Sequence, residues 1–170
     1  SFQGLPPLNS RFNDPHRAQR DLLRGCELLG GLPPDVLSEL VAASRIVELS
    51  VKRTLYEAGE LIREAHILFN GSVKRAVSMP GGATRVIEIV QNEQLLGMGE
   101  VFSASHYAST CSGITHALLV AIDIRKLRDM VLHSHELSCR IITALARRQC
   151  ATEFDATGFH YGLTGAQRLL

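Results

Sequence analysis

Hydrophobic positions along the chain change period twice. Near the start they recur at helical spacing. A short helix is expected over residues 17–24, and Pro33-Pro34-Asp35 opens a second, because proline is pre-set for a first turn and an acidic side chain suits the positive helix end. Val36, Leu37, Leu40 and Val41 share one face of it. From Ser44 the period moves towards two, with residues 45–51 alternating in part as a half-buried strand does. Turn signals then follow at short intervals: Ala58-Gly59, Asn70-Gly71, Pro80-Gly81-Gly82 and Gly97-Met98-Gly99. Candidate strands lie between them at 54–56, 66–69, 73–77, 85–90 and 117–122. Many short strands between frequent turns predict a β-sandwich or roll, with Pro80-Gly81-Gly82 at a hairpin tip. After Ile122 the pattern is helical to about Ala156, interrupted at His133-Ser134-His135. Leu137, Ile141 and Leu145 recur every four residues, with Ala144 and Arg148 beside them. Such a stripe packs either on its own barrel or on a symmetry mate, and periodicity leaves both open.

Composition narrows the class. The 170 residues suit one compact domain, or one domain with a terminal appendage, and 45% hydrophobic content excludes a disordered chain. Eighteen Lys and Arg against seventeen Asp and Glu leave a net charge of +1, which favours neither nucleic acid nor anionic membrane over other partners. The longest apolar run, residues 116–122, falls short of the roughly 20 residues of a spanning helix. A soluble, cytoplasmic protein without membrane contact is expected, its four scattered cysteines reduced. Cys139 and Cys150 return to one helix face but stand about three turns apart, too far to bond within a chain. His133-Ser134-His135 lacks a third ligand at fixed spacing and reads as solvated.

Four segments in order then acquire meaning together: Leu55 with Gly59-Glu60; Ile67-Leu68-Phe69-Asn70-Gly71-Ser72-Val73-Lys74; Pro80-Gly81-Gly82; and Leu95 with Gly99-Glu100-Val101-Phe102. This order resembles the cyclic-nucleotide-binding domain of the Crp/Fnr transcription regulators. The resemblance runs from about Leu22 to Leu170 and implies a double-stranded β-roll (jelly roll) flanked by short N-terminal helices and one long C-terminal dimerisation helix. Pro6, Pro7, Asn9, Asn13 and Pro15, turn formers without periodicity, read as a flexible arm at 1–16, and the resemblance implies a sensor roll at 17–123, the dimerisation helix at 124–157, and at 158–170 the lead into a winged helix-turn-helix beyond this chain. The implied partners are a second copy, joined along Leu137, Ile141, Leu145 and Arg148, DNA through that further domain, and a small-molecule or gas effector.

The family's pocket follows Gly-Glu, matched here by Gly99 and Glu100. There backbone N–H groups, an arginine and a hydroxyl hold a cyclic phosphate, and the glutamate holds the ribose. The Arg-Ser positions read Tyr107-Ala108, so neither the cation nor the hydroxyl is supplied, and cyclic AMP is not expected to bind in the usual way. Glu100 can instead tie the segment to backbone amides. Thr152 falls where the family places an adenine-contacting threonine. The stretch Tyr107-Ala108-Ser109-Thr110 is more similar to the haem-associated, gas-sensing branch, which implies haem with His106 as axial ligand. The iron–sulfur branch needs clustered N-terminal cysteines, and only Cys26 lies there. The rival function is a cupin-like, metal-dependent enzyme on a similar roll, but the strands at 73–77 and 85–90 carry no histidine, so a non-enzyme is expected.

Overall fold

The computed structural model describes residues 14–157; residues 1–13 of the expected arm and the whole of the expected 158–170 lead lie outside them. Two helices come first, α1 (Arg17–Gly25) and α2 (Pro34–Ala42). Pro34 stands at the first turn of α2 with Asp35 behind it, and Leu37, Leu40 and Val41 are buried. Eight strands follow: β1 (Ser44–Leu49), β2 (Thr54–Tyr56), β3 (Glu64–Asn70), β4 (Val73–Ser78), β5 (Thr84–Val90), β6 (Gln94–Leu95), β7 (Thr110–Gly113) and β8 (Ala117–Asp123). A short helix α3 (Met98–Ser103) sits between β6 and β7. Two helices close the order, α4 (Ile124–His133) and α5 (His135–Thr157).

The strands form two antiparallel four-stranded sheets, β1-β8-β3-β6 and β2-β7-β4-β5, which face each other as a roll. β8 is buried at Ala117 and from Leu119 to Ile122 because β1 and β3 flank it and both its faces are covered. At the β3–β4 turn, Gly71 has φ 83°, and a side chain there would meet the His116 carbonyl at 2.1 Å, so only glycine fits. The strands β6 and β7 have no counterpart in the sequence pattern. β6 is two residues long, and β7 (Thr-Cys-Ser-Gly) lacks an apolar run; each exists through pairing with its neighbours.

Asp123 caps α4 by accepting from the N–H groups of Arg125 and Lys126 at 3.0 and 3.1 Å. Ser134 is extended (φ -111°, ψ 107°) and separates α4 from α5, so the expected dimerisation segment is two helices. The expected seam is corrected by the burial along α5. Leu137 is 0% and Ile141 3% exposed, packed into the protomer's own core with Ala144 and Leu145 against it. Arg148 is bound to the roll. The stripe therefore belongs to the protomer's own barrel, and the face left to solvent is the one that carries Ile142, 64% exposed.

Candidate functional site

Gly97, in the left-handed region at φ 57°, ends β6 and caps α3, which brings Gly99 and Glu100 into the first turn. From there the chain passes through residues 104–109 into β7. That segment is lashed to the β2–β3 connection: Tyr107 N–H donates to the Glu60 carbonyl at 2.9 Å, Gly59 N–H to the Tyr107 carbonyl at 2.7 Å, and Ile62 N–H to the Ser105 carbonyl at 2.8 Å.

Glu100 is the centre of the cluster. Its Oε1 accepts from Arg75 Nη2 and from Ser109 Oγ at 3.1 Å, and its Oε2 accepts from the Ala108 N–H at 3.2 Å. Arg75, on β4, also pairs through Nη1 with Glu88 Oε2 on β5 at 2.6 Å. Glu88 Oε1 in turn accepts from Gln94 Nε2 at 3.1 Å and from Arg148 Nη2 on α5. Arg148 completes the connection by donating to the Leu95 carbonyl at 3.3 Å. A continuous chain of alternating charges, Glu100–Arg75–Glu88–Arg148, thus runs from α3 across two strands to the long helix. Side-chain exposure is 11% for Arg75 and 15% for Glu100, so the inner pair is little screened. Burial opposes the charge of Glu88, but the Arg75 hydrogen bond and the pull of Arg148 outweigh it and hold its carboxyl below the usual range.

Beside this chain, Tyr107 lies flat on Tyr56, with ring centroids 3.7 Å apart and planes within 5°. Its hydroxyl donates to the Glu64 carbonyl at 2.7 Å. Both rings are almost fully buried, and burial pushes both phenols well above their ordinary pKa. His66 is buried next to Tyr56, and desolvation lowers its pKa to about 4, which makes it a neutral part of the wall. The roll interior is filled by its own rings and ions. Chemically, Glu100 already receives an arginine, a hydroxyl and a backbone N–H, the three donor types that bind an anion.

No protein-family model matches the chain. Over 128 residues it is 23% identical to the CRP-like cAMP-activated global transcriptional regulator of Mycobacterium tuberculosis, covering 75% of this chain and 57% of that protein. The chain thus spans little more than half the length of this curated relative. Among solved structures it is similar to the sensor domain of the transcriptional regulator DNR from Pseudomonas aeruginosa (TM-score 0.68, 22% identity, 78% of this chain and 89% of that one). The N-terminal domain of a transcriptional regulator from Streptomyces coelicolor gives a TM-score of 0.59 at 26% identity, over 81% of this chain and 95% of that one. The Thermus thermophilus catabolite activator protein gives 0.63 at 14% identity, over 79% of this chain and 63% of that one.

The fold is the cyclic-nucleotide-binding-like roll of Crp/Fnr-type regulators.

Within this Crp/Fnr-type roll, Gly99, Glu100, Tyr107 and Ala108 come together as the sequence places them, whereas two other expected residues stand apart. Thr152 is exposed on α5, and its hydroxyl donates to the Arg148 carbonyl one turn back at 3.0 Å. His106 is exposed, its Nδ1 lies 2.8 Å from Ser105 Oγ, and it lines neither of the two cavities considered below. His106 thus faces solvent, while the roll interior holds the Tyr107–Tyr56 stack and the Arg75–Glu100 pair. Arg75, Glu88, Ser109 and Tyr56 are the site residues the sequence reading missed. Only the alternation of β4, which turns Arg75 inward between Val73 and the β5 partner Glu88, could have flagged the first two. Among the described residues no group of three or more His, Cys, Asp or Glu side chains could hold a metal, and the cupin alternative finds no support.

Proposed function

We propose that this chain is the non-enzymatic sensor and dimerisation module of a Crp/Fnr-type transcription regulator whose roll does not take cyclic AMP in the usual way. The observation that carries this is the saturated Glu100 carboxylate. The glutamate that would meet a ribose is held by Arg75, Ser109 and the Ala108 N–H, and the positions where the family carries its phosphate-binding Arg-Ser read Tyr107-Ala108. An incoming cyclic phosphate would have to displace an internal ion pair from a site where an unpaired charge costs several kcal/mol.

The reading includes a homodimer formed on the outer face of α5. His135, Cys139, Ile142, Ala146 and Gln149 are all exposed and follow one another at intervals of four and three residues, the spacing of a two-helix seam. It also includes DNA contact through a further domain, and a cytoplasmic location. No helix among the described residues is long and apolar enough to cross a membrane. An effector acts in such a module only by binding one arrangement of α5 against the roll better than another. Chromatin immunoprecipitation of the full-length protein tests the reading. Enrichment at discrete promoter sequences is expected, and uniform, sequence-independent recovery would overturn it.

A further inference from the structure

A half-open cavity of about 550 Å³ lies outside the roll interior, between α5, β6, Met98 at the start of α3, and the turn after α1. That volume falls within the ~300–1,000 Å³ of small-molecule sites. Its apolar lining is Cys26, Leu28, Ile67, Leu95, Met98 and Ala144. The charged groups around it are already partnered. Arg140 pairs with Glu136 at 2.8 Å and donates to the Leu28 and Gly30 carbonyls; Arg147 pairs with Glu27 at 3.5 Å. Arg148 is bound to Glu88, and Glu93 accepts from the Glu27 N–H at 2.9 Å. Two of the three lining arginines thus pair with lining glutamates, Arg148 is committed to Glu88 and Glu93 to a backbone N–H, and the six formal charges on the lining sum to zero, which leaves no net charge to recruit an ion.

We infer that this cavity is an effector site for an uncharged, largely apolar small molecule. Its position gives such a ligand leverage. One wall is α5, through Ala144 and Arg148, and another is Met98, two residues before Glu100, so an occupant touches Arg148 at one end of the Glu100–Arg75–Glu88–Arg148 chain and the helix that carries Glu100 at the other. Met98 is flexible and polarisable, able to conform to an apolar guest. The second cavity, between α2, the β2–β3 connection and α4, is bordered by Arg45, Arg63, Glu64, Asp123, Arg125 and Arg128, and offers no comparable apolar floor. The inference goes beyond the regulator reading, because binding is measured on this chain whether or not the full-length protein binds promoters.

The probe is N-phenyl-1-naphthylamine, a neutral aromatic amine that fluoresces in apolar surroundings. Saturable binding of one probe per protomer is expected, with amide resonance shifts centred on residues 26–28, 67, 93–98 and 136–148. Thr143→Trp, at an exposed lining position, and Ala144→Trp should each weaken binding at least tenfold. Leu132→Ser, on α4 away from the cavity, should not change it. The similarly sized anionic probe 8-anilinonaphthalene-1-sulfonate should bind at least tenfold more weakly. Non-saturable binding, shifts centred on the exposed strand residues 86–89, or unchanged affinity in the folded Thr143→Trp protein would overturn the site. Equal or tighter binding of the anionic probe would overturn the ligand class.

Discussion

Arg75→Met removes the cation shared by two half-buried carboxylates, Glu100 and Glu88. Methionine keeps most of the aliphatic volume, so the perturbation is electrostatic. Glu100 retains Ser109 and the Ala108 N–H, and Glu88 retains Arg148 and Gln94, so neither is stripped bare. Breaking a buried pair by truncating one partner costs ~3–5 kcal/mol, and the surviving donors place this case at the lower end, about 3 kcal/mol. Against the ~5–15 kcal/mol of a typical domain this is a large fraction. With a urea dependence of about 2 kcal/mol per molar, the unfolding midpoint should fall by roughly 1.5 M in circular dichroism. The double variant Arg75→Met/Glu100→Gln should recover part of the loss, because it removes the charge that Arg75 neutralised. A midpoint shift under roughly 0.5 M, or strictly additive single and double variants, would refute the idea that the ion chain is a stabilising element of the roll.

His66 supplies a pH signature. Its folded pKa of about 4 lies below the ordinary 6.5, so the unfolded chain binds the extra proton first, and stability present above pH 6.5 is lost as pH falls towards 4. The loss approaches ~3 kcal/mol, and His66→Leu should flatten it in urea titrations between those pH values. Thiol labelling should separate the cysteines. Cys150 is exposed and reacts in the native state, Cys139 on the proposed seam reacts there once Ile142→Asp opens it, and Cys26 and Cys111, buried and pushed up to about 11 and about 12 chiefly by burial, react only on unfolding; four fast thiols would contradict the packing. If the proposed α5 dimer forms, Ile142→Asp should convert it to monomer in sedimentation velocity without unfolding it, and a folded protein that stays dimeric would move the seam elsewhere.

The sequence carried the fold's punctuation better than its short pieces. Paired turn residues marked the β3–β4 turn and the β4–β5 hairpin, and Pro34 with Asp35 marked the start of α2. β6 and β7 escaped because two to four residues without an apolar pattern contain no periodicity to read. For the Leu137–Ile141 stripe, a helix packed on its own roll and one packed on a twin show the same spacing, and only burial distinguishes them. The departure at Tyr107 and Ala108 was visible in one dimension. Its compensation was not: Arg75 lies 25 residues from Glu100 and meets it only through the β4–β5–α3 geometry, across a register shift after Arg75 that no local pattern encodes.

The most direct test of the self-satisfied pocket is isothermal calorimetry of this chain with cyclic AMP, paired with its thermal unfolding. With Glu100 held by Arg75, Ser109 and the Ala108 N–H, and Tyr107 stacked on Tyr56, no saturable heat and no shift of the transition are expected up to millimolar nucleotide. An occupied site would be evident, since ligand at a hundred times its Kd stabilises the fold by ~2.7 kcal/mol. Micromolar binding would contradict the claim that Glu100 is already satisfied by the protein's own donors and that Tyr107 and Ala108 supply nothing to a cyclic phosphate.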